Sequence, residues 1–139
     1  MEDCIFCKII KGEIPCFKVY EDEKVLAFED INPFADGHTL IIPKAHAENL
    51  WEISEEDLTA IHIASKKIIQ GIKDALKPDG VAALQLNGRG ANQEVMHYHL
   101  HLVPHTEGSP SLPMTSWELK QGDMDKIKQI SEKIAAAII

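Results

Sequence analysis

The feature that most constrains this 139-residue chain is the run HYHLHLVP at positions 97–104, in which the first three alternate positions are histidines. Successive side chains of a β-strand point to opposite faces, so the run predicts a strand with three imidazoles on one face and a buried apolar face behind them. Imidazole titrates near neutral pH, which suits catalysis and metal binding. The row therefore predicts a functional site, and the alternative is a polar strand face exposed to solvent.

The composition predicts one domain over 1–139, with a core at about 4–105 and a C-terminal extension that carries a helix over about 110–139. Hydrophobic residues make up 45% of the chain, which is enough for one core. The formal charge of −8 argues against nucleic-acid binding, because a grip on the phosphate backbone needs clustered basic residues. A small phosphorylated ligand remains compatible with this charge.

The N-terminal region and the cysteines favour a cytoplasmic protein. The first residues, MEDCIFCKII, include acidic residues where a signal peptide has basic ones. No apolar stretch approaches the roughly 18 residues of a membrane span, so no membrane association is expected. Three cysteines, at positions 4, 7 and 16, suit a reducing compartment better than a disulfide framework.

Hydrophobic periodicity and turn signals predict an α+β fold with five strands, one long helix and short N- and C-terminal helices. The strands are predicted at 17–20, 25–30, 38–43, 81–87 and 97–103. The helices are predicted over 4–11 with Asp3 as N-cap, from the cap at Ser54 to the turn at 78–80, and from about Asp123. The apolar stripe of the last helix favours packing against the core or a second subunit.

The histidine row permits covalent chemistry at phosphorus. A neutral imidazole attacks phosphorus, and an imidazolium is a good leaving group, so a phospho- or nucleotidyl-histidine suits a two-step transfer. The preceding loop, 87–94, combines two glycines with amide side chains and is expected to point donors at an anion. An ordinary turn is the alternative interpretation of this loop.

Three segments of the chain resemble the histidine triad (HIT) family, in particular a small bacterial branch related to nucleoside phosphoramidases. They are CIFCKIIKGEIP, VLAFEDINPFADGHTLIIPKAHAENL and NQEVMHYHLHLVP, and the resemblance extends over nearly the whole chain except its C-terminal end. The resemblance implies a five-stranded antiparallel sheet and a homodimer. It also implies that the middle histidine attacks the α-phosphorus of a nucleoside monophosphate conjugate, and that water then frees the nucleotide.

The resemblance also assigns roles by position. His99 is the nucleophile, His101 donates to a non-bridging phosphate oxygen, and His38 helps to orient the nucleophile. The implied nucleotide-binding residues are Asp30 and Ile31 at the ribose, Ile5, Phe6, Ile9, Phe28 and Leu40 around the purine, and Asn87, Asn92, Gln93 and Glu94 in the phosphate loop. The five purine positions are equally plausible as core residues.

Three positions depart from the family pattern. Asn92 stands where glycine is usual, and asparagine tolerates left-handed backbone angles better than most residues. His105 stands where many members that cleave diadenosine polyphosphates carry arginine. Glu94 stands where some members use a hydroxyl residue, and an acid there would favour an amine leaving group over an additional phosphate.

The pair Cys4 and Cys7 has three interpretations from the residues alone: a redox pair, half of a metal site, or two buried small residues. A redox pair usually follows a strand of a βαβ unit, which is absent from the pattern here. The resemblance implies a zinc site formed by Cys4, Cys7, His46 and His97. Four protein ligands close a tetrahedral site, so the zinc would be structural.

The sequence thus predicts a hydrolase or transferase that acts on purine nucleoside monophosphate conjugates such as adenosine 5′-phosphoramidates. One alternative is a dinucleoside polyphosphate hydrolase. Others are a non-catalytic nucleotide- or zinc-binding module, and a zinc store that uses His99 and His101 as ligands.

Overall fold

The five apolar strand segments assemble into one antiparallel sheet in the order β1-β2-β3-β5-β4. The computed structural model describes residues 3–109 and 119–138. The strands are β1 (Lys18–Glu21), β2 (Val25–Glu29), β3 (Thr39–Pro43), β4 (Gly80–Gln85) and β5 (Leu100–His105). The helices are α1 (Ile5–Ile10), α2 (Glu55–Leu76) and α3 (Met124–Ala137), with a short 3₁₀ turn at Arg89–Ala91. This α+β architecture with a five-stranded antiparallel sheet confirms the predicted fold class.

The two faces of the sheet bury different clusters, as the period of two along β2 and β3 dictates. On one face, Val25, Ala27 and Ile41 pack in a core with inward side chains of α2 and α3. On the other face, Leu26, Phe28, Leu40 and Ile42 pack with Phe6 of α1. The second face is covered by one short helix, and this leaves room for a cavity.

Two details of the predicted elements are wrong. The histidine strand begins at Leu100, because only residues 100–105 pair with β3 and β4, and His97 and His99 precede it. The N-cap of α1 is Cys4 rather than Asp3, since the Cys4 Sγ accepts from the Cys7 N–H at 3.4 Å. The alternative of an exposed polar strand face is also wrong, because all three histidines of the row are buried.

The long helix and the last helix start as predicted. Ser54 caps α2 by accepting from the Asp57 N–H, and Asp123 caps α3 by accepting from two backbone N–H groups. Lys77 ends α2 in the left-handed conformation. Positions 110–118 of the predicted C-terminal extension lie outside the described residues. None of the helices within 3–109 and 119–138 is long and apolar enough to cross a membrane.

Candidate active site and metal site

A cavity of about 290 Å³ lies on the face of the sheet that carries α1. Most of the predicted nucleotide-binding and catalytic residues line it: Ile5, Phe6, Ile9, Phe28, Asp30, Ile31, Leu40, Asn92, Glu94, His99 and His101. Other wall residues, among them Pro15, Cys16, Leu86 and Leu119, were not predicted. They come from separate segments and share no local pattern. The wall is largely apolar with a few polar groups, as is typical of small-molecule sites.

The hydrogen bond of His99 fixes which of its ring nitrogens is reactive. The His99 Nδ1 lies 2.7 Å from the backbone carbonyl oxygen of His97. A carbonyl only accepts, so Nδ1 carries the proton and donates. Burial lowers the pKa of His99, which keeps the ring neutral. The Nε2 of His99 therefore holds an unprotonated lone pair, as a nucleophile requires.

A second hydrogen-bond chain orients His101. The Phe34 N–H donates to the Nδ1 of His38 at 2.9 Å, so the proton of neutral His38 resides on Nε2. That Nε2 donates to the Nδ1 of His101 at 2.9 Å. Burial, with the neighbouring His99 and His38, lowers the pKa of His101 to about 2. His101 is consequently neutral and has its own proton on Nε2.

Asp30 lies beside this chain at the end of β2. Its Oδ2 is 3.6 Å from the Nε2 of His38, which is longer than a hydrogen bond. The carboxylate thus lines the cavity next to the imidazoles, where it can accept from hydroxyl groups of a ligand.

The predicted phosphate loop divides into residues that face the cavity and residues that hold the loop. Asn92 and Glu94 line the cavity, and Asn92 has a φ of +68°. The buried Gln93 accepts from the Gly88 N–H at 2.7 Å and donates to the carbonyl oxygens of Glu48 and Val95. Gln93 therefore braces the loop internally and lies outside the cavity lining.

Asn87 also lies outside the cavity lining. Its Oδ1 accepts from the Leu50 N–H at 2.7 Å, and its side chain exchanges hydrogen bonds with that of Gln85. Asn87 thus fastens the loop to the segment before α2. His105, at the end of β5, is exposed and also absent from the lining, and His62 is exposed on α2.

The four predicted zinc ligands converge at the N-terminal end of α1. The ligand atoms of Cys4, Cys7, His46 and His97 all lie within 4.8 Å of one another. The Nδ1 of His97 is 3.3 Å from the Cys4 Sγ, and that of His46 is 3.3 Å from the Cys7 Sγ. With zinc–sulfur and zinc–nitrogen bonds of standard length, a tetrahedral site has sulfur–nitrogen separations of about 3.5 Å.

The protonation of His97 suits metal binding as well. Its Nε2 lies 2.8 Å from the Pro43 carbonyl oxygen and donates to it. Burial lowers the pKa of His97 to about 4, so the ring is neutral and its Nδ1 presents a lone pair to the two thiols. Two thiols and two imidazoles are a donor set that zinc prefers, and these residues fit the ion. The third cysteine, Cys16, lines the cavity and lies outside this cluster.

Comparisons with known proteins identify the family of this chain. Residues 11–108 match the family model of the HIT domain. The "Protein hit" of Bacillus subtilis is 52% identical over 103 residues, covering 74% of this chain and 71% of that protein. Adenosine 5'-monophosphoramidase HNT1 of Saccharomyces cerevisiae is 42% identical over 135 residues, covering 97% of this chain and 82% of that protein.

A solved structure with the same fold also contains zinc. It is a zinc-bound histidine triad family protein from Mycobacterium smegmatis, with a TM-score of 0.86 at 33% identity. The match covers 99% of this chain and 94% of that chain.

Proposed function

This chain belongs to the histidine triad (HIT) family, and from that premise we propose that it hydrolyses adenosine 5′-phosphoramidates and related purine nucleoside monophosphate conjugates through a nucleotidyl-histidine on His99. The observation that carries the proposal is the tautomer of His99. Its Nδ1 donates to the His97 carbonyl, and its Nε2 is the basic nitrogen in a cavity that also contains a carboxylate. A non-catalytic binding module or a zinc store does not require that the Nε2 of His99 be an unprotonated nucleophile.

The cavity offers separate surfaces for the three parts of a nucleotide. Phe6, Ile9 and Leu40 supply apolar contact for the purine, and their burial in a small cluster makes that surface rigid. The Asp30 carboxylate accepts from the two ribose hydroxyls, and Ile31 covers the sugar. In this proposal the α-phosphorus lies beside the histidines.

In the first step, the Nε2 lone pair of His99 attacks the phosphorus while the phosphorus–nitrogen bond to the amine breaks. The amine takes a proton from solvent as it leaves. The His99 ring now carries a positive charge, and the Nδ1–H donation to the His97 carbonyl stabilises that charge. His101 donates from Nε2 to a non-bridging oxygen on which negative charge develops.

In the second step, water attacks the phosphorus and gives up a proton to solvent. The bond between phosphorus and the His99 Nε2 breaks, and its electron pair returns to the imidazole. AMP and neutral His99 are the products. His38 keeps His101 in the donor tautomer through both steps, because its own orientation is fixed by the Phe34 N–H.

The charges around the cavity favour an amine leaving group over a polyphosphate. Among the described residues that line the cavity, none is lysine or arginine, while Glu29, Asp30 and Glu94 are acidic. A dinucleoside polyphosphate would bring several additional negative charges into this setting without a cation to pair them. His105 lies outside the cavity lining, so it cannot supply the positive charge that a polyphosphate would need.

AMP release tests the proposal directly. We expect the purified protein to release AMP from a lysine-linked adenosine phosphoramidate and to hydrolyse diadenosine polyphosphates much more slowly, because charge repulsion disfavours the latter. Liquid chromatography of the products measures both rates. Faster cleavage of the polyphosphates, or binding of AMP without turnover of either substrate, would contradict the assignment.

We assign the Cys/His cluster of Cys4, Cys7, His46 and His97 to a structural zinc ion. A closed set of four protein ligands leaves no position for water, so the ion would supply a crosslink rather than a Lewis acid. The crosslink joins α1 to the segment that leads into β5, and thereby fixes Phe6 against His99, whose ring centroids are 5.3 Å apart. A reducing cytoplasm would keep both thiols available as ligands.

The exposed edge of the sheet supports a homodimer as the functional form. β4 is an edge strand, and Ala82 and Ala83 on it are exposed, as is Ile63 on α2 at 58%. An uncovered edge with small side chains is a template for pairing with a second strand. Sedimentation velocity is expected to give a dimer in solution. An Ala83→Lys variant should sediment as a monomer, because a charged side chain on an exposed edge strand opposes pairing with a second strand. A wild-type monomer would exclude this assembly.

A further inference from the structure

The buried carboxyl group of Glu29 is not used by the mechanism above. Glu29 is the last residue of β2, is 3% exposed, and immediately precedes Asp30. It pairs across the sheet with Thr39, which immediately follows His38. Side chains alternate along the two strands and the residues that adjoin them, so Glu29 and Thr39 lie on the face of the sheet that carries α2 and α3, and Asp30 and His38 lie on the cavity face. Glu29 also borders the cavity.

Hydrogen-bond counting identifies the protonation state of Glu29. The Thr39 Oγ1 lies 2.5 Å from the Glu29 Oε1 and 2.9 Å from the backbone carbonyl oxygen of Gly37. A hydroxyl group has one proton, and a carbonyl only accepts. Both contacts are hydrogen bonds only if the Thr39 hydroxyl donates to Gly37 and the Glu29 carboxyl carries a proton that it donates to Thr39.

Among residues 3–109 and 119–138, no cation near Glu29 favours its ionised form. The inward side chains of α3 are Ile127, Ile130, Ser131 and Ile134, and those of α2 are likewise non-titratable. In β1, Val19 is the buried side chain, while Lys18 points to solvent and pairs with Glu21. Lys126, at the start of α3, pairs with Asp36.

The charge of the next residue, Asp30, also favours the protonated form. Burial raises the pKa of Glu29 to about 8, the hydrogen bond with Thr39 opposes this increase, and the adjacent charge of Asp30 adds to it. Neutral His38, beside Thr39, contributes no compensating positive charge, because burial lowers its pKa.

We propose that Glu29 is a positioning residue that works in its protonated form, and that the chain Glu29–Thr39–Gly37 holds the β2–β3 connection so that Asp30 and His38 keep their places in the site. The connection is short and tightly bonded: the Asp30 N–H donates to the His38 carbonyl oxygen at 2.9 Å. The inference rests on the proposed function, since Asp30 binds the ribose and His38 orients His101.

Ionisation of Glu29 breaks this chain. A carboxylate has no proton to donate, so the Thr39 hydroxyl donates its single proton to Glu29. The hydrogen bond from Thr39 to the Gly37 carbonyl is then lost. Gly37 has a φ of +88° and packs tightly, since a Cβ built there would lie 2.4 Å from the Leu76 Cδ1. A shift at Gly37 is passed directly to the next residue, His38.

The test compares pH profiles of wild type and Glu29→Gln for AMP release from the lysine-linked phosphoramidate. The glutamine amide donates to Thr39 as the protonated carboxyl does, but it does not titrate. For wild type, kcat/KM is expected to fall above the pKa of about 8, by about tenfold per pH unit. Glu29→Gln should match wild type at pH 7 and lack this fall. Glu23→Gln, at an exposed glutamate, should retain it.

Two further variants separate positioning from folding. Thr39→Ser keeps the hydroxyl and should behave as wild type, whereas Thr39→Val removes the link and should lose kcat/KM even at pH 7. If Glu29→Gln shows the same alkaline fall as wild type, or is inactive at pH 7 while folded, the proposal is wrong.

A measurement without turnover distinguishes failure of this inference from failure of the proposed function. Unfolding releases the Glu29 proton between the unfolded pKa of 4.5 and the folded pKa of about 8. On top of the pH dependence of the histidines, which both proteins share, this release should therefore decrease the unfolding free energy of wild type as the pH rises from 6.5 to 8. Glu29→Gln should lack that decrease. AMP affinity should follow the same pattern above pH 8 even in an enzyme that turns over no phosphoramidate. Equal slopes for both proteins would show that Glu29 is ionised and overturn the inference.

Discussion

Replacing His99 with alanine is expected to lower AMP release from the phosphoramidate by about 10⁴-fold or more, because the variant has no group to form the covalent bond. Rates for wild type and variant are measured in the same assay at pH 7. His62→Ala is the matched control, since His62 is an exposed histidine on α2 and does not line the cavity. It should leave the rate unchanged.

The loss in His99→Ala should affect chemistry and spare binding. The purine and ribose surfaces do not include the reactive nitrogen, so AMP affinity by calorimetry should remain close to that of wild type. Mass spectrometry of the protein quenched during turnover should find a covalently attached nucleotide on His99 of wild type and none in the variant. A variant that keeps substantial activity, or an adduct on another residue, would refute the assignment of the nucleophile.

The burial of the histidine row on one face could be predicted from the sequence because its signal is local. The alternation from His97 to His101 requires one face for the imidazoles, and the apolar residues between them require a core behind that face. The strand itself is shorter than predicted, because pairing with β3 and β4 begins only at Leu100. Hydrophobic alternation identifies which face a residue occupies, but it does not reveal where the partner strands end.

The sequence could not predict which residues of the phosphate loop face the cavity and which hold the loop in place. Asn87 and Gln93 have the amide side chains expected of phosphate-binding residues, yet their hydrogen bonds go to backbone groups of Leu50, Gly88 and Glu48. Which backbone groups approach a loop is decided by the tertiary fold. Cavity residues such as Leu119 escaped prediction for the same reason.

Protonation states also depend on the assembled structure. Glu29 follows an apolar strand segment in the sequence, and nothing in that pattern indicates that its carboxyl is buried against Thr39. The tautomers of His99 and His38 are likewise set by single contacts, with the His97 carbonyl and the Phe34 N–H. The sequence therefore indicates which groups can react, whereas the fold decides which nitrogen does so.

Removing one thiol of the Cys/His cluster is expected to abolish zinc binding and to destabilise the fold. We expect wild type to contain one zinc ion per chain by elemental analysis, and Cys7→Ser to contain none. A ligand present at a thousand times its dissociation constant stabilises the folded state by about 4 kcal/mol. Because the metal also joins α1 to the segment before β5, thermal unfolding of Cys7→Ser should occur well below that of wild type, and a chelator should lower the wild-type transition toward the same value.

The same variant should bind its substrate poorly while keeping its nucleophile. α1 carries Phe6 and Ile9 into the cavity, and Phe6 packs edge-on against both His97 and His99. A loosened α1 exposes the purine surface, so KM should rise more than kcat falls, provided that the assay is run below the unfolding transition. Cys16→Ser is the control, because Cys16 belongs to the cavity wall and lies outside the cluster. It should keep zinc and the wild-type transition. Wild-type protein that carries no zinc and unfolds at the same temperature as Cys7→Ser would rule out a structural metal, and α1 would then be held by the packing of Phe6 alone.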